Sequence, residues 1–246
     1  DMKKLDDTHI RFGAIADIHL CNIHTRKDVL ETAYIEFKKE KIKDVYVIGN
    51  AIDGESKFNT YELYTPSGFE AQAKEFSTAM PKIEGITTYF ISAQCHEGWY
   101  IGNSGLNVGN AMEAVARRNG RTDLIHLGHL EHDIFVQTKN GQCCIRLFHP
   151  GGGTPYAVSY PAQKIVESYT GGEKPNVLLL GHFHKAYYSA VRNVQIVQVP
   201  SMMDQNVFMR KKRIESVVGY TIIDMTIDVN GNVLSLIHIS EPTRPY

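Results

Sequence analysis

Short apolar runs that end in histidine, aspartate or asparagine recur along this chain and constrain its fold more than any other feature. The clearest is Val177-Leu-Leu-Leu180, followed directly by Gly181-His-Phe-His184. Four apolar residues in a row suit a strand buried on both faces, which requires packed layers on either side of it. Gly181 is expected to let the backbone turn at the strand's carboxyl end without a Cβ clash. In open α/β sheets that end is where ligands bind. Alternate side chains of an extended segment share a face, so His182 and His184 are expected to converge on one small target. Neutral imidazole makes a metal a natural target.

The same grammar runs through the rest of the chain. Residues 10–16 predict a first strand, with Asp17 and His19 at its end. Val29, Leu30, Ala33 and Phe37 have helical spacing and predict a helix over 26–41. A second strand over 45–48 ends in Gly49-Asn-Ala-Ile-Asp53, and residues 55–66 read as a polar and aromatic surface loop. A helix over 69–80, stopped by Pro81, leads to a third strand over 87–91 and then to Ala93-Gln-Cys-His-Glu97. This βαβαβ opening argues for a parallel sheet with right-handed crossovers. A helix over 106–118 and a short strand over 124–127 follow. Next comes a hairpin of 133–137 with 143–148, turned at Asn140-Gly141 and ending in His149. A helix over 161–170, a hairpin of 187–191 with 194–199, and a strand over 219–229 complete the pattern. The expected fold class is α/β, a four-layer sandwich of two mixed β-sheets flanked by helices, with residues 1–233 forming one domain.

Composition narrows the partners. The 246 residues carry a formal net charge of −1 and no apolar run long enough to cross a membrane, so neither polyanion nor membrane binding is advertised globally. The one basic run, Met209-Arg-Lys-Lys-Arg213, reads as a solvated loop, with contact to a nucleic-acid backbone as the alternative. Cysteines at 21, 95, 143 and 144 lack C-x-x-C spacing. Cys143 and Cys144 should face opposite sides of a strand as reduced residues, which suits a cytoplasmic protein. The run Gly151 to Gly153 is expected to turn the chain after His149, with a phosphate cradle as the alternative. His9, His24, His126, His129 and His132 are assigned to surface or core. The stretch Leu234-Ser-Leu-Ile-His-Ile-Ser-Glu-Pro-Thr-Arg244 reads as a translated transposon-end adapter from sequencing-library preparation. Residues 234–246 are therefore expected to be non-native, and His238 is not counted as a ligand. Their apolar alternation lets them pair as a strand regardless. The chain begins with Asp1, so the native start is expected upstream.

Five strand ends thus carry metal-ligand residue types: Asp17/His19, Asn50/Asp53, Gln94 to Glu97, His149, and His182/His184. In that order they resemble the calcineurin-like metallophosphoesterases, whose signature is D-x-H, G-D-x-x-D, G-N-H-D/E, a lone H, and G-H-x-H. Asp17-Ile-His19 and Gly181-His-Phe-His184 match in full, and His149 falls where the lone histidine belongs. The resemblance spans almost all of the chain before residue 234. The segment His149-Pro-Gly-Gly-Gly-Thr154 and residues 164–185 look closest to DNA-repair-exonuclease-like members found in prokaryotes and their large viruses. The resemblance implies two divalent metal ions, manganese first, with iron or zinc as alternatives. One would be held by Asp17, His19 and His184. The other would be held by His149, His182 and a residue of the third motif, with position 50 bridging both. A phosphate-ester substrate is implied, with His96 protonating the leaving oxygen and Glu97 or Asp53 orienting it or a ligand.

Two departures stand out. Asn50 occupies the place of an aspartate, which removes one negative charge between two dications. The third motif reads Ala93-Gln94-Cys95-His96-Glu97, which leaves Gln94 (the amide) and Cys95 (by alignment to His96) both as candidate ligands. A thiolate would select softer metals. The expected function is a dinuclear-metal phosphodiesterase or nuclease acting on nucleic acid, with DNA as the candidate substrate. The alternatives are a phosphomonoesterase or nucleotide phosphatase, and an impaired relative that binds nucleic acid or a partner without turnover.

Overall fold

Two periodicities, two along strands and 3.6 along helices, sort the chain into layers. The computed structural model describes residues 6–65, 67–153 and 157–242; Thr154 and residues 243–246 lie outside them. In chain order the elements are β1 (Thr8–Ile15), α1 (Lys27–Lys39), β2 (Asp44–Ile48), α2 (Phe69–Ala79), β3 (Thr87–Ser92), α3 (Trp99–Ser104), α4 (Val108–Arg118) and β4 (Leu124–His129). They continue with β5 (Glu131–Gln137), β6 (Gln142–Phe148), α5 (Ser159–Ser168), β7 (Val177–Leu180), β8 (Tyr187–Val191), β9 (Val194–Gln198), α6 (Val207–Lys212), β10 (Gly219–Ile227) and β11 (Val233–Pro242).

The strands form two mixed sheets, ordered β11-β10-β1-β2-β3-β4 and β5-β6-β7-β9-β8. Strands β1 to β4 are parallel to one another, and so are β6, β7 and β9, while the outer pairings are antiparallel. Alternation along β7 fixes its place. Val177 and Leu179 pack between the sheets with Phe12, Ala14, Ile223 and Met225. Leu178 and Leu180 face Ala162 and Val166 of α5. On the other side of the molecule, Leu30, Ala33 and Phe37 of α1 and Phe76 of α2 cover the outer face of the first sheet. The result is the expected four-layer sandwich of helix, sheet, sheet and helix.

Several local expectations needed correction. The basic run lies on α6 and not in a loop, because Asn206 accepts the Met209 N–H at 2.8 Å and Met209 is buried beneath it. A 3-10 turn at Thr60–Glu62 interrupts the stretch read as loop, and helix α3 lies where no element was expected. The expected non-native stretch enters β11, pairing with β10 across a bulge at Thr226/Ile227. Cys143 does face the inter-sheet core, and all four cysteines are free thiols. Among the described residues, no helix is long and apolar enough to cross a membrane.

Parallel strands place their carboxyl ends side by side, and the loops beyond them continue the pairing. Asp17 N–H donates to Gly49 O, His19 N–H to Asn50 O and Leu20 N–H to Ala51 O, at 2.9–3.2 Å. A bridge from Ala16 to Ser201 brings in the loop that follows β9.

The packing of α1 on β1 gives a stability prediction. Phe37 is fully buried, meets Tyr34 and Tyr220 edge-on, and lies over Gly13, where a Cβ would come 2.8 Å from its ring. Phe37→Ala should cost about 3–5 kcal/mol. The exposed neighbour change Ile35→Ala should stay within about 0.5 kcal/mol. Urea denaturation of both variants checks this, and equal midpoints would refute it.

Candidate metal centre

Of three three-residue donor groups at the joined strand ends, one is His19, Asp53 and His96, and the other two meet around Asp17. Asp17, His19 and His184 form one, and Cys95, His149 and His182 the other; within each set the ligand atoms lie within 4.8 Å of one another. They share an atom's neighbourhood. Asp17 Oδ1 is 3.4 Å from His184 Nε2, 3.7 Å from His19 Nε2 and 3.7 Å from His149 Nε2. The Asn50 amide lies between the sets, its Nδ2 3.1 Å from Asp17 Oδ1 and 3.6 Å from Cys95 Sγ. Cys95 Sγ in turn is 3.5 Å from His149 Nε2 and 3.8 Å from His182 Nδ1.

Each of the four imidazoles has its second nitrogen engaged elsewhere. His19 Nδ1 meets Asp53 Oδ1 at 2.8 Å, and His149 Nδ1 donates to Ile48 O at 2.8 Å. His182 Nε2 donates to Gly152 O at 2.8 Å, and His184 Nδ1 meets Ser216 Oγ at 3.3 Å. This is how ligating histidines are oriented: an outer partner fixes the ring and turns the other nitrogen toward the ion. The glycine run therefore acts on His182 through a carbonyl.

The buried carboxylates are held by donors. Asp17 Oδ2 accepts the His182 N–H at 2.7 Å, which ties the end of β1 to the end of β7. Glu97 accepts four backbone N–H groups, from Ala93, Asn50, Ala51 and Ile52, at 2.7–3.3 Å. Glu97 is thus a clamp between the ends of β2 and β3, away from the donor sets. Asp53 bonds His19, His96, Asn22 and Asn59. His96, a quarter exposed, meets His19 edge-on at 4.3 Å and lies 4.7 Å from the Trp99 ring.

Three expectations change here. Gln94 is exposed and lines a cleft beside the centre, whereas Cys95 belongs to a donor set. A 3-10 turn begins at His96, with Gly98 N–H bonding Cys95 O, and turns Cys95 inward. His182 and His184 do not converge as an extended segment would make them; they enter different donor sets, as the resemblance implies, because both have left-handed backbones, φ 79° and 52°. Gly181 is needed for space and not for a turn: a Cβ there would come 2.3 Å from Ile48 O and 2.7 Å from His149 Nδ1. Asn22, Asn59 and Trp99 were missed. Asn22 and Asn59 fall in segments with no periodic pattern, whereas Trp99 could have been noticed as an aromatic three residues after His96.

The residues present fit divalent ions. His19 Nε2 is completely buried with no hydrogen-bond partner, although it points among donors. Burial opposes charge on His149, whose pKa falls to about 4, and also lowers His184, so both rings are neutral and ligand-ready near neutral pH. Burial also resists charge on Asp17, yet His184, His149 and His19 hold its carboxyl well below the usual range. Asp53 is likewise held low against its burial by His19 and His96. Burial pushes the Cys95 thiol up to about 12, so it would ligate only by giving up its proton to a metal. Burial lifts the Glu97 carboxyl to about 7 against the pull of its four N–H donors. His96 is lowered by burial and by the neighbouring His19.

No family model matches the chain, and no curated protein matches it. Solved structures do. A Staphylococcus aureus protein assigned as a 5'-nucleotidase superposes with a TM-score of 0.54 at 10% identity over 97% of this chain, which spans 55% of that protein. The Escherichia coli phosphoesterase YfcE gives 0.48 at 10% identity, covering 93% of this chain and 98% of its own. An archaeal phosphodiesterase gives 0.44 at 13% identity, covering 94% and 100%. The four-layer α/β sandwich is thus a fold shared with the Staphylococcus aureus structure.

His19 carries a prediction about the metal-free protein. Burial works against its charge, but Asp17 and Asp53 outweigh it and raise its pKa to about 9. A raised histidine pKa stabilises the folded state below about 6.5, and that contribution is lost as pH climbs through 9. The lowered histidines act with the opposite sign only below 6.5, whereas Glu97 at about 7 and the four cysteines, pushed up by burial to about 11 to 12, add slopes of the same sign as His19. The difference in stability between the protein and His19→Gln, which shares those groups, isolates the histidine. In chelator that difference should fall by roughly 2 kcal/mol between pH 7 and 9.5. A difference that stays constant with pH in thermal melts would rule this out.

Proposed function

We propose that this protein is a calcineurin-like, dinuclear-metal phosphoesterase that cleaves phosphodiesters in nucleic acid, with DNA as the first candidate, in the manner of DNA-repair-exonuclease-like relatives. One observation carries the reading. A single carboxylate oxygen, Asp17 Oδ1, lies within 3.4–3.7 Å of imidazoles from both donor sets, with the residue-50 side chain beside it. When bound, two divalent ions would supply Lewis acidity toward the phosphoryl oxygens and a more acidic nucleophilic water. Manganese is the first choice, with iron or zinc as alternatives, and Cys95 shifts its own set toward the softer metal.

The chain's own residues do the rest. Asp17, His19 and His184 hold one side of the substrate's phosphate position, and Cys95, His149 and His182 the other. Asp53 fixes the His19 ring through Nδ1 and the His96 ring through its own Nδ1, at 2.8 and 3.1 Å. That leaves His96 Nε2 to give a proton to the leaving oxygen. Its lowered pKa makes its imidazolium a stronger acid. Asn50 supports a second reading, an impaired relative, because its amide Nδ2 donates to Asp17 where a carboxylate would add charge for two cations.

Two measurements test these roles. With Mn²⁺, the protein should cleave bis(p-nitrophenyl) phosphate faster than p-nitrophenyl phosphate. Asn50→Asp should tighten Mn²⁺ binding about tenfold or more, some 1.4 kcal/mol. If neither protein turns over, the enzyme reading fails; if the monoester is the better substrate, the diesterase reading does.

Leaving-group dependence isolates His96. His96→Gln should lower kcat on an alkyl-leaving diester by about 10²-fold, the lower end of general acid catalysis. It should have little effect with p-nitrophenolate, which departs without a proton. Equal losses on both substrates would remove the acid role.

A further inference from the structure

Trp99, the only tryptophan of the chain, opens α3 with its ring 4.7 Å from that of His96. It lines a cleft of about 660 Å³ together with Ser56, Lys57, Phe58, Gln94 and His129. That size falls within the range of small-ligand sites, about 300–1,000 Å³. Phe58 is 72% exposed and belongs to none of the hydrophobic clusters, and the Lys57 ammonium lies 5.1 Å over its ring. A single exposed aromatic is ordinary, but Phe58 shares this cleft with a second ring, that of Trp99.

The loop that presents Phe58 is tied down. Phe58 N–H donates to Ser56 Oγ at 3.1 Å, and Ser56 N–H to Asn59 Oδ1 at 2.9 Å. Asn59 Nδ2 donates to Asp53 Oδ2 at 2.7 Å. The same Asp53 carboxylate orients His19 and His96. Phe58 is thereby referenced to the proton donor and the metal donors through one side chain.

We infer that this cleft receives an unpaired nucleobase adjacent to the scissile phosphate, so that the substrate strand is single-stranded where it meets the centre. The inference rests on the reading of a nucleic-acid phosphodiester as substrate. Ring faces such as Phe58 and Trp99 stack bases of any sequence, at about 1–3 kcal/mol per base. Lys57 supplies the cation for an adjoining phosphate. Gln94 offers an amide to a base edge. A base inside a duplex is stacked on both sides and has to leave the helix to enter such a cleft.

Because Trp99 is the sole tryptophan, its fluorescence reports the cleft directly, and chelator removes turnover from the measurement. A single-stranded thymidine ten-mer should quench Trp99. An abasic strand of the same length and charge should bind about tenfold more weakly without quenching, and a blunt duplex should not quench. Phe58→Ala, at an exposed position, should weaken thymidine ten-mer binding about tenfold. Equal quenching by the abasic strand or the duplex, or unchanged affinity in Phe58→Ala, overturns the inference even if the protein hydrolyses phosphodiesters. Base-dependent quenching in a protein that fails to hydrolyse them upholds the cleft and sinks the catalytic reading alone.

Discussion

The site depends on one buried carboxylate. Asp17 leaves β1 with both oxygens committed, Oδ2 to the His182 backbone and Oδ1 to the Asn50 amide and three imidazoles. A desolvated carboxylate is tolerated only when donors surround it, and charge-assisted bonds are the strongest available. Because these partners and neighbouring rings come from the ends of β1, β2, β6 and β7, assembling them around Asp17 requires the carboxyl ends of the two sheets to meet at this point. The core between the sheets and the polar centre at their ends are therefore one constraint.

That convergence is achieved with an unfavourable backbone. Asp17, His19, Asn50, His96, His182 and His184 all have φ between 50° and 79°, a region that L-residues other than asparagine, aspartate and histidine seldom enter. Such residues cost of order 1–3 kcal/mol each and persist when their surroundings over-determine them. The surroundings here are identifiable. Glu97 gathers four N–H groups from two strand ends. Gly49 and Gly181 let the His149 ring lie against the backbone, where either Cβ would come within 2.7 Å of it. The ring is thus clasped by main chain, with Nδ1 bonded to Ile48 O.

Charge is scarce in this centre. With Asn50 neutral and the Cys95 thiol protonated in the absence of a cation, Asp17 is the one charged carboxylate within the two donor sets. Asp53 stands just outside, where it raises the basicity of His19. A cation taken up by these sets would displace protons from His19 and Cys95, so its affinity would rise with pH. The likeness to a solved structure shows the fold alone; the electrostatics follow from this chain's own residues.

Periodicity made most of the architecture legible. The run Val177 to Leu180 declared a doubly buried strand, and its alternating residues do face two different cores. The order of polar strand ends likewise announced a shared edge, because parallel strands deliver their termini together whatever the loops do. Short elements such as α3 and α6 were hidden, since six residues give too little pattern to distinguish helix from loop. Side-chain direction at the strand ends was hidden for a different reason. Whether Gln94 or Cys95 turns inward depends on Glu97 drawing in the Ala93 and Asn50 N–H groups, and whether His182 and His184 share a target depends on left-handed backbone held by Asp17. The sequence by itself determined the layers and which residues arrive at the edge, because burial acts through local periodicity. Only the tertiary structure decided which atom of each faces the centre, because contacts between residues from 33 to 165 positions apart select the backbone there.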